Sequence, residues 1–587
     1  MKIANKMKKA EGKVIGVNES LVEAQIVAGD VMNGEVAYII LEDDKRLKAE
    51  VIDIKEGDRV YLQVFEDTSW MKVGDPLEFT GLPLTVKLGP GILGSVTDGL
   101  QNPLYELGKI EWFLERGLEV DPLDRSRKWH FTPMVERGDA VSGSSILGSI
   151  PENLFEHKIF VPFYMQGAYT IEEIVLEGDY TIDETIAIIR DNAGERTELK
   201  MAFDWPVKRP MPFEKRSVPE RPMPTGIRIL DALFPIAYGG TACNPGPFGA
   251  GKTVLQHSLA RHSQADVVII AACGERAGEA VEVFKDFPEL IDPRTGKSLM
   301  DRTYIVGNTS SMPVAAREAS VYMATTVGEY YRKQGLNVLI LADSTSRWAQ
   351  ALRETSGRKE EIPGPEAFPM YISTLISAFY DRAGVEILGD GTTGSLSIIG
   401  TVSPAGGNFD EPVTQATLLS TGAFWGLSRA LSEARKYPAI DRIDSNSKYP
   451  SLLEEKEVKY LMELLRDGKS IGSNIILMGE KGITDELYIR YQKSELLDAV
   501  FLQQNSFHEV DGVTNPERLR EMFDMIKEVI DTPLEIKGKE EIRWHFNLIR
   551  QAFLDWNYMR PDEDGFENQR TKLLNLVKQM EHASEDI

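Results

Sequence analysis

Eight consecutive residues, Gly246-Pro247-Phe248-Gly249-Ala250-Gly251-Lys252-Thr253, satisfy the spacing G-x-x-x-x-G-K-[ST] at every fixed position. The glycines let the backbone turn tightly enough for successive N–H groups to face phosphate oxygens. A helix predicted to begin near Lys252 adds the positive end of its dipole. Val254, Leu255 and Leu259 recur at helical spacing, so the lysine stands at a loop-to-helix junction. In that setting Lys252 reaches the β- and γ-phosphates of a nucleotide, and the Thr253 hydroxyl ligates Mg²⁺.

Further groups fall at the ends of predicted strands, and ligands of open parallel sheets bind at the carboxyl edge. Asp343 follows the apolar run Val338-Leu-Ile-Leu-Ala342, where a carboxylate holds Mg²⁺, usually through water. Glu275, in Cys273-Gly274-Glu275-Arg276, follows the run Val267–Ala272 and is the candidate that orients or deprotonates the water attacking a γ-phosphate. Arg276 and Arg347 either neutralise phosphate charge or organise their loops through ion pairs. Cys243 and Cys273 have no His or Lys activator beside them and read as buried small apolar residues. Two cysteines cannot form a disulfide framework, and no Cys/His cluster has metal-ligand spacing, so the metal expected is nucleotide-bound Mg²⁺.

These residues need a scaffold, and 587 residues are too many for one core. Residues 1–82 carry short β-branched runs (Lys13–Val17, Leu21–Val27, Glu35–Leu41, Ala49–Ile54, Arg59–Phe65) broken by Gly, Asn and Asp, the pattern of a small barrel. Residues 110–200 are again β-rich, with Gly138-Asp139 and Gly178-Asp179 resembling the turns of a lipoyl-like sandwich; His157-Lys158 lies outside such a turn and is not a carrier site. Six prolines between Trp205 and Pro224 suggest a linker. Over 205–449 strands and helices alternate, the signature of a parallel sheet with helices on both faces. Over 450–587 the pattern is helical: Leu519, Met522, Phe523, Ile526 and Ile530 keep 3.6-residue spacing after Asn515-Pro516, and a second amphipathic run covers Ile542–Leu554. The predicted fold is therefore multidomain α/β, with an N-terminal barrel, a β-rich insertion, a P-loop nucleotide-binding domain and a C-terminal helical bundle.

A net charge of −25 opposes binding to a phosphate backbone, so nucleic acid is not an expected partner. No stretch approaches the ~20 apolar residues that span a bilayer. The basic start Met1–Ala10 leads into no apolar segment, so a secretory signal is not expected and a cytoplasmic location is.

Six ordered motifs together resemble the catalytic A subunits of rotary V/A-type ATPases: the phosphate loop, Cys273–Arg276, Asn308–Glu318, Ala342–Trp348, Ser403–Asn408 and Leu502–Phe507. The resemblance implies Mg²⁺-ATP hydrolysis or synthesis coupled to proton or sodium transport, with Glu275 as catalytic carboxylate. It places Phe424, Gln504 and Phe507 around adenine, although from the residues alone the two phenylalanines read as core aromatics. It makes residues 110–200 the insertion that extends toward the peripheral stalk. It further implies a ring of three A and three B-type subunits around a central shaft, peripheral to the membrane on its cytoplasmic face. Lys359, Pro365 and Asn446 depart from the family pattern at positions remote from the phosphates in the motif. A non-catalytic nucleotide-binding ring subunit and a hexameric RNA helicase are the competing readings. The intact pair Lys252 and Glu275 speaks against the first, and the acidic charge with the long helical C-terminus against the second.

Overall fold

The computed structural model describes residues 10–110, 116–247, 249–310, 312–534 and 536–582; Phe248 of the phosphate loop lies outside them. The chain divides into two compact units, Met1–Ser217 with Asp266–Gly400 and Val218–Ala265 with Thr401–Ile587. This division cuts across the span 205–449 expected as one domain.

The first unit begins with a closed barrel of strands Glu11–Asn18, Leu21–Ala28, Glu35–Ile40, Arg46–Lys55, Arg59–Val64 and Pro76–Pro83, in the spatial order first, second, fifth, fourth, third, sixth. Val14, Ala24, Ile39, Leu62 and Phe79 share one buried core. Closure removes the free edges that an open six-stranded sheet would leave to aggregate. The sixth strand escapes a sequence reading because it opens and closes on proline and contains Gly81, residues that signal turns.

Residues 128–199 form two four-stranded antiparallel sheets. Gly138-Asp139 is a turn, as expected, closed by Asp139 accepting from the Glu136 N–H at 2.8 Å. Gly178-Asp179 is not: it opens the strand Gly178–Thr181, which pairs with Lys128–Pro133 and sets Asp179 2.9 Å from His130. His157 and Lys158 lie within the strand Phe155–Phe160. His157 is fully buried between Glu152 (2.5 Å) and the Tyr330 hydroxyl (2.6 Å), and Lys158 pairs with Asp390 at 2.8 Å. The expected linker also contains strands: Phe203–Pro206 pairs with Thr85–Leu88, and Lys215–Ser217 with Gly384–Ile387. Proline is tolerated there because the strands are short and lie at an edge.

The sheet of the first unit runs parallel in the order Thr393–Val402, Asn337–Asp343, Val267–Glu275, Thr303–Thr309, Val96–Thr97. Eight of the nine residues of Val267–Glu275 are buried, which requires cover on both faces. The long helix Val314–Lys333 supplies part of it by packing along three of these strands.

In the second unit Thr241–Pro245 pairs in parallel with Ala423–Phe424, whose other neighbour is the antiparallel Asn446–Ser447. Among the described residues five α-helices follow: Glu455–Met478, Asp485–Leu497, Pro516–Asp531, Lys539–Asn557 and Phe566–His582. Pro516–Asp531 starts as expected, with Pro516 in its first turn and the Asn515 side chain accepting from the Arg518 N–H at 2.7 Å. Leu519, Met522, Phe523, Ile526 and Ile530 form its buried face.

Candidate active site

The candidate residues fall into two groups, one in each unit. In the second unit the buried strand Thr241–Pro245 delivers the phosphate loop, and the helix Lys252–His262 begins at the predicted residue. Gly249 and Gly251 take φ of 78° and 89°, a left-handed backbone that a side chain would strain. Between them Ala250 is buried, its N–H reaching the Pro247 carbonyl at 3.4 Å. Gly251 is the N-cap and offers no side chain, so no cap competes with a phosphate for the first N–H groups of the helix. The Lys252 ammonium donates to the Gly246 carbonyl at 3.0 Å and to the Ser403 hydroxyl. It thus bridges the two ends of the loop while Thr253 stays exposed on the first turn.

Phe424 is half-buried at the end of its short strand, edge-on to Phe409 with ring centroids 6.0 Å apart. Phe507 is 88% exposed, which no core role explains. Gln504 differs from expectation. Its side chain is buried, with Oε1 accepting from the Arg228 N–H and Nε2 donating to the Gly226 carbonyl, both at 2.9 Å. An amide engaged on both atoms is a framework bond, so Gln504 holds the segment carrying Phe507 rather than presenting its own amide to a base. Two neighbours escape the sequence reading. Ser403 lies in a quoted motif to which no role was attached. Tyr437 is 42% exposed, packs beside Gly251, and accepts the Gln504 N–H on its carbonyl at 2.9 Å.

In the first unit Glu275 ends the strand Val267–Glu275, three residues further on than the expected end at Ala272. The register sets Ala272 opposite Asp343 and Glu275 opposite Thr309, with an irregularity between Cys273 and Glu275. Gly274 has φ 75° inside this bend, and a Cβ there would lie 2.7 Å from Arg317 Cδ and 3.1 Å from Arg347 Cβ. Burial pushes the Glu275 carboxyl up to about 8, helped by its hydrogen bond to Glu279 and the charges of Asp343 and Glu279, while Arg347 opposes the rise. Arg347 sits in the first turn of the helix Thr345–Arg358 and donates to Gln350 at 3.1 Å. Its charge acts on the Glu275 carboxyl. Arg276 is exposed at the N-cap of the helix Ala277–Asp286.

Cys273 is buried against Ser320, and desolvation pushes its thiol up to about 12; Cys243 is likewise buried and raised. Neither is a nucleophile. Among the described residues no three His, Cys, Asp or Glu side chains group to hold a metal. Thr253 offers an exposed hydroxyl in the second unit and Asp343 a strand-end carboxylate in the first, each a hard oxygen donor of the kind Mg²⁺ takes.

The sequence and fold have known counterparts. The ATP synthase alpha/beta family's nucleotide-binding domain matches residues 226–447, its barrel-sandwich domain 120–208 and its beta-barrel domain 14–81. The V-type ATP synthase alpha chain of Treponema denticola is 53% identical over 564 residues, covering 96% of this chain and 95% of its own. That of Borrelia hermsii is 52% identical over 571 residues, 97% and 98% of the two chains. Among solved structures, the ATPase EscN of the enteropathogenic E. coli type III secretion system gives a TM-score of 0.61 at 22% identity, over 88% of this chain and 99% of that one. At that identity the likeness concerns the fold alone. Shared end to end with relatives at half-identical sequence, the barrel, the barrel-sandwich and the nucleotide-binding domain show that this chain belongs to the ATP synthase alpha/beta family, among its V-type ATP synthase alpha chains.

Proposed function

We propose that Lys252, Thr253, Glu275 and Asp343 carry out the chemistry of this chain, which is the catalytic subunit of a V-type rotary ATPase, an ATP hydrolase/synthase coupled to ion transport. Lys252 and the uncapped N–H groups of its helix bind the β- and γ-phosphates. Thr253 in the second unit and Asp343 in the first would each serve as an oxygen ligand of nucleotide-bound Mg²⁺, which would supply charge neutralisation at the phosphates. Glu275 orients the attacking water and takes its proton; in synthesis it returns that proton. Arg347 and Arg276 stabilise charge on the carboxylates and the phosphates. Phe424 and Phe507 sandwich adenine on a segment that Gln504 fixes.

The observation that carries this reading is Glu275: a half-buried carboxyl whose proton affinity is raised into the working range of a general base, in a chain whose phosphate loop is intact. As an alpha chain it is a member of a multisubunit, membrane-associated rotary complex, and none of its described helices is long and apolar enough to cross a membrane. Its neighbours are, in our reading, three B-type subunits alternating with three copies of this chain, a central shaft and a peripheral stalk, on the cytoplasmic face. Two substitutions test the assignment. Lys252→Ala loses binding of a fluorescent ATP analogue, because charge-assisted hydrogen bonds of about 1.5–3 kcal/mol each disappear. Glu275→Gln keeps that binding and loses turnover. Unchanged affinity in the lysine variant refutes the loop as the nucleotide site.

A further inference from the structure

Arg317 has no role in the chemistry above, yet it is 8% exposed and stands against the strand end that carries Glu275. It lies in the first turns of the helix Val314–Lys333. Its guanidinium donates to the Ser310 carbonyl at 3.2 Å, and the Ser310 N–H donates to the Glu275 carbonyl at 2.8 Å. A two-bond relay therefore runs from the helix to the backbone of the catalytic carboxylate. The stem of Arg317 also closes the space beside Gly274, where a Cβ would be 2.7 Å from its Cδ. One turn further along, Ser320 binds Cys273, so the same helix grips the strand end twice.

This arrangement is costly for a structural contact. Its carboxylate partner, Glu354, is 3.8 Å away and 44% exposed, and the buried Nε has no hydrogen-bond partner among the described residues. An under-compensated buried cation lowers stability, and such costs persist where function requires them.

We infer that Arg317 is a positioning residue for Glu275, fixing the Cys273-Gly274-Glu275 bend through the Ser310 backbone and by packing its stem beside Gly274. The inference rests on the reading of Glu275 as the catalytic carboxylate. The charged groups that act on that carboxylate are Glu279 from the following helix, Asp343 from the adjacent strand and Arg347 from the helix after it.

The test uses the assembled ATPase carrying Arg317→Gln or Arg317→Lys, with Glu275→Gln in parallel, and measures kcat and KM for ATP hydrolysis. The glutamine amide stops short of the Ser310 carbonyl and loses the relay, so kcat falls about tenfold with KM within about twofold. Arg317→Lys reaches that carbonyl with its ammonium and restores kcat. A wild-type kcat in Arg317→Gln overturns the inference, as does a loss that lysine does not rescue. If the glutamine variant fails to assemble, Gly274→Ala, whose Cβ would meet the Arg317 stem, takes its place, and a wild-type kcat there overturns the inference instead. Full turnover in Glu275→Gln refutes the reading of Glu275 itself; an inactive Glu275→Gln beside an unaffected Arg317→Gln sinks the present inference alone.

Discussion

Replacing Glu275 by glutamine separates the chemistry of this residue from its electrostatics. With its carboxyl raised from 4.5 to about 8, about a tenth of the nucleotide-free chain carries the carboxylate at pH 7. The kcat/KM for ATP hydrolysis of the assembled enzyme should therefore climb close to tenfold per pH unit below about 8 and level off above it, since this ratio reports the free enzyme. The amide keeps the shape but accepts no proton, so turnover falls by about 10² to 10⁴ at saturating ATP while nucleotide binding persists. Stability moves in the opposite sense. The folded chain holds a proton that the unfolded chain releases between pH 4.5 and 8, so wild-type stability falls as pH rises through that window. Between pH 6 and 8 the unscreened change amounts to about 2.3 kcal/mol. Solvent screening of a half-exposed group in a carboxyl cluster reduces this to about 1 kcal/mol. The glutamine variant has no such proton, so its Tm advantage over wild type grows by about 1–3 °C from pH 6 to pH 8. Thermal unfolding of both purified chains without nucleotide, at closely spaced pH, measures this. A Tm difference that stays constant across the range refutes the raised proton affinity, and with it the poised general base.

Phe507→Ala and Phe424→Ala raise KM for ATP with near-constant kcat, because stacking on adenine acts equally in the ground and transition states. Phe507 is exposed, so its variant keeps the wild-type Tm, whereas loss of half-buried Phe424 lowers it; a collapse of kcat alone contradicts the adenine assignment. Gln504→Ala strands the Arg228 N–H and the Gly226 carbonyl, costing about 1–3 kcal/mol in denaturant unfolding and raising KM through the displaced segment; an unchanged midpoint shows that the two bonds hold nothing. The isolated chain hydrolyses ATP poorly, and adding the B-type subunit raises the rate by up to about 10³ to 10⁵ through an arginine supplied in trans. Alanine at that arginine of the partner removes most of the gain and leaves nucleotide bound. Full activity from the monomer at high dilution refutes the shared site.

The legible parts of this chain were those encoded locally. The phosphate loop is eight contiguous residues whose glycines, lysine and helix start are each dictated by neighbours within one turn, and the helix begins at Lys252 as its spacing requires. Five of the six barrel strands could be read directly as β-branched runs between Gly, Asn and Asp; the sixth hid behind Pro76, Gly81 and Pro83. Gly178-Asp179 misled for the converse reason, since a turn-like dipeptide is held extended by its pairing with Lys128–Pro133, a tertiary contact fifty residues away. The site roles divide in the same way. The positions of Glu275 and Asp343 at strand ends follow from buried apolar runs, although the strand of Glu275 runs three residues past its expected end. Gln504 was assigned to adenine because it stands in a short motif, but the partner of its side chain is the backbone of Arg228, 276 residues earlier, and only the folded chain shows that the amide is already committed. Arg317 is the sharper instance. Its residue type predicts a solvated charge, because arginine is rarely buried. Here the glycine at 274 leaves room for its stem, and the Ser310 backbone links its head to Glu275. A buried cation with an unpartnered nitrogen offsets hydrophobic packing rather than adding to it, so selection for stability alone does not account for it. On the inference drawn above, the helix Val314–Lys333, into which the motif Asn308–Glu318 runs, helps to aim the proposed catalytic carboxylate.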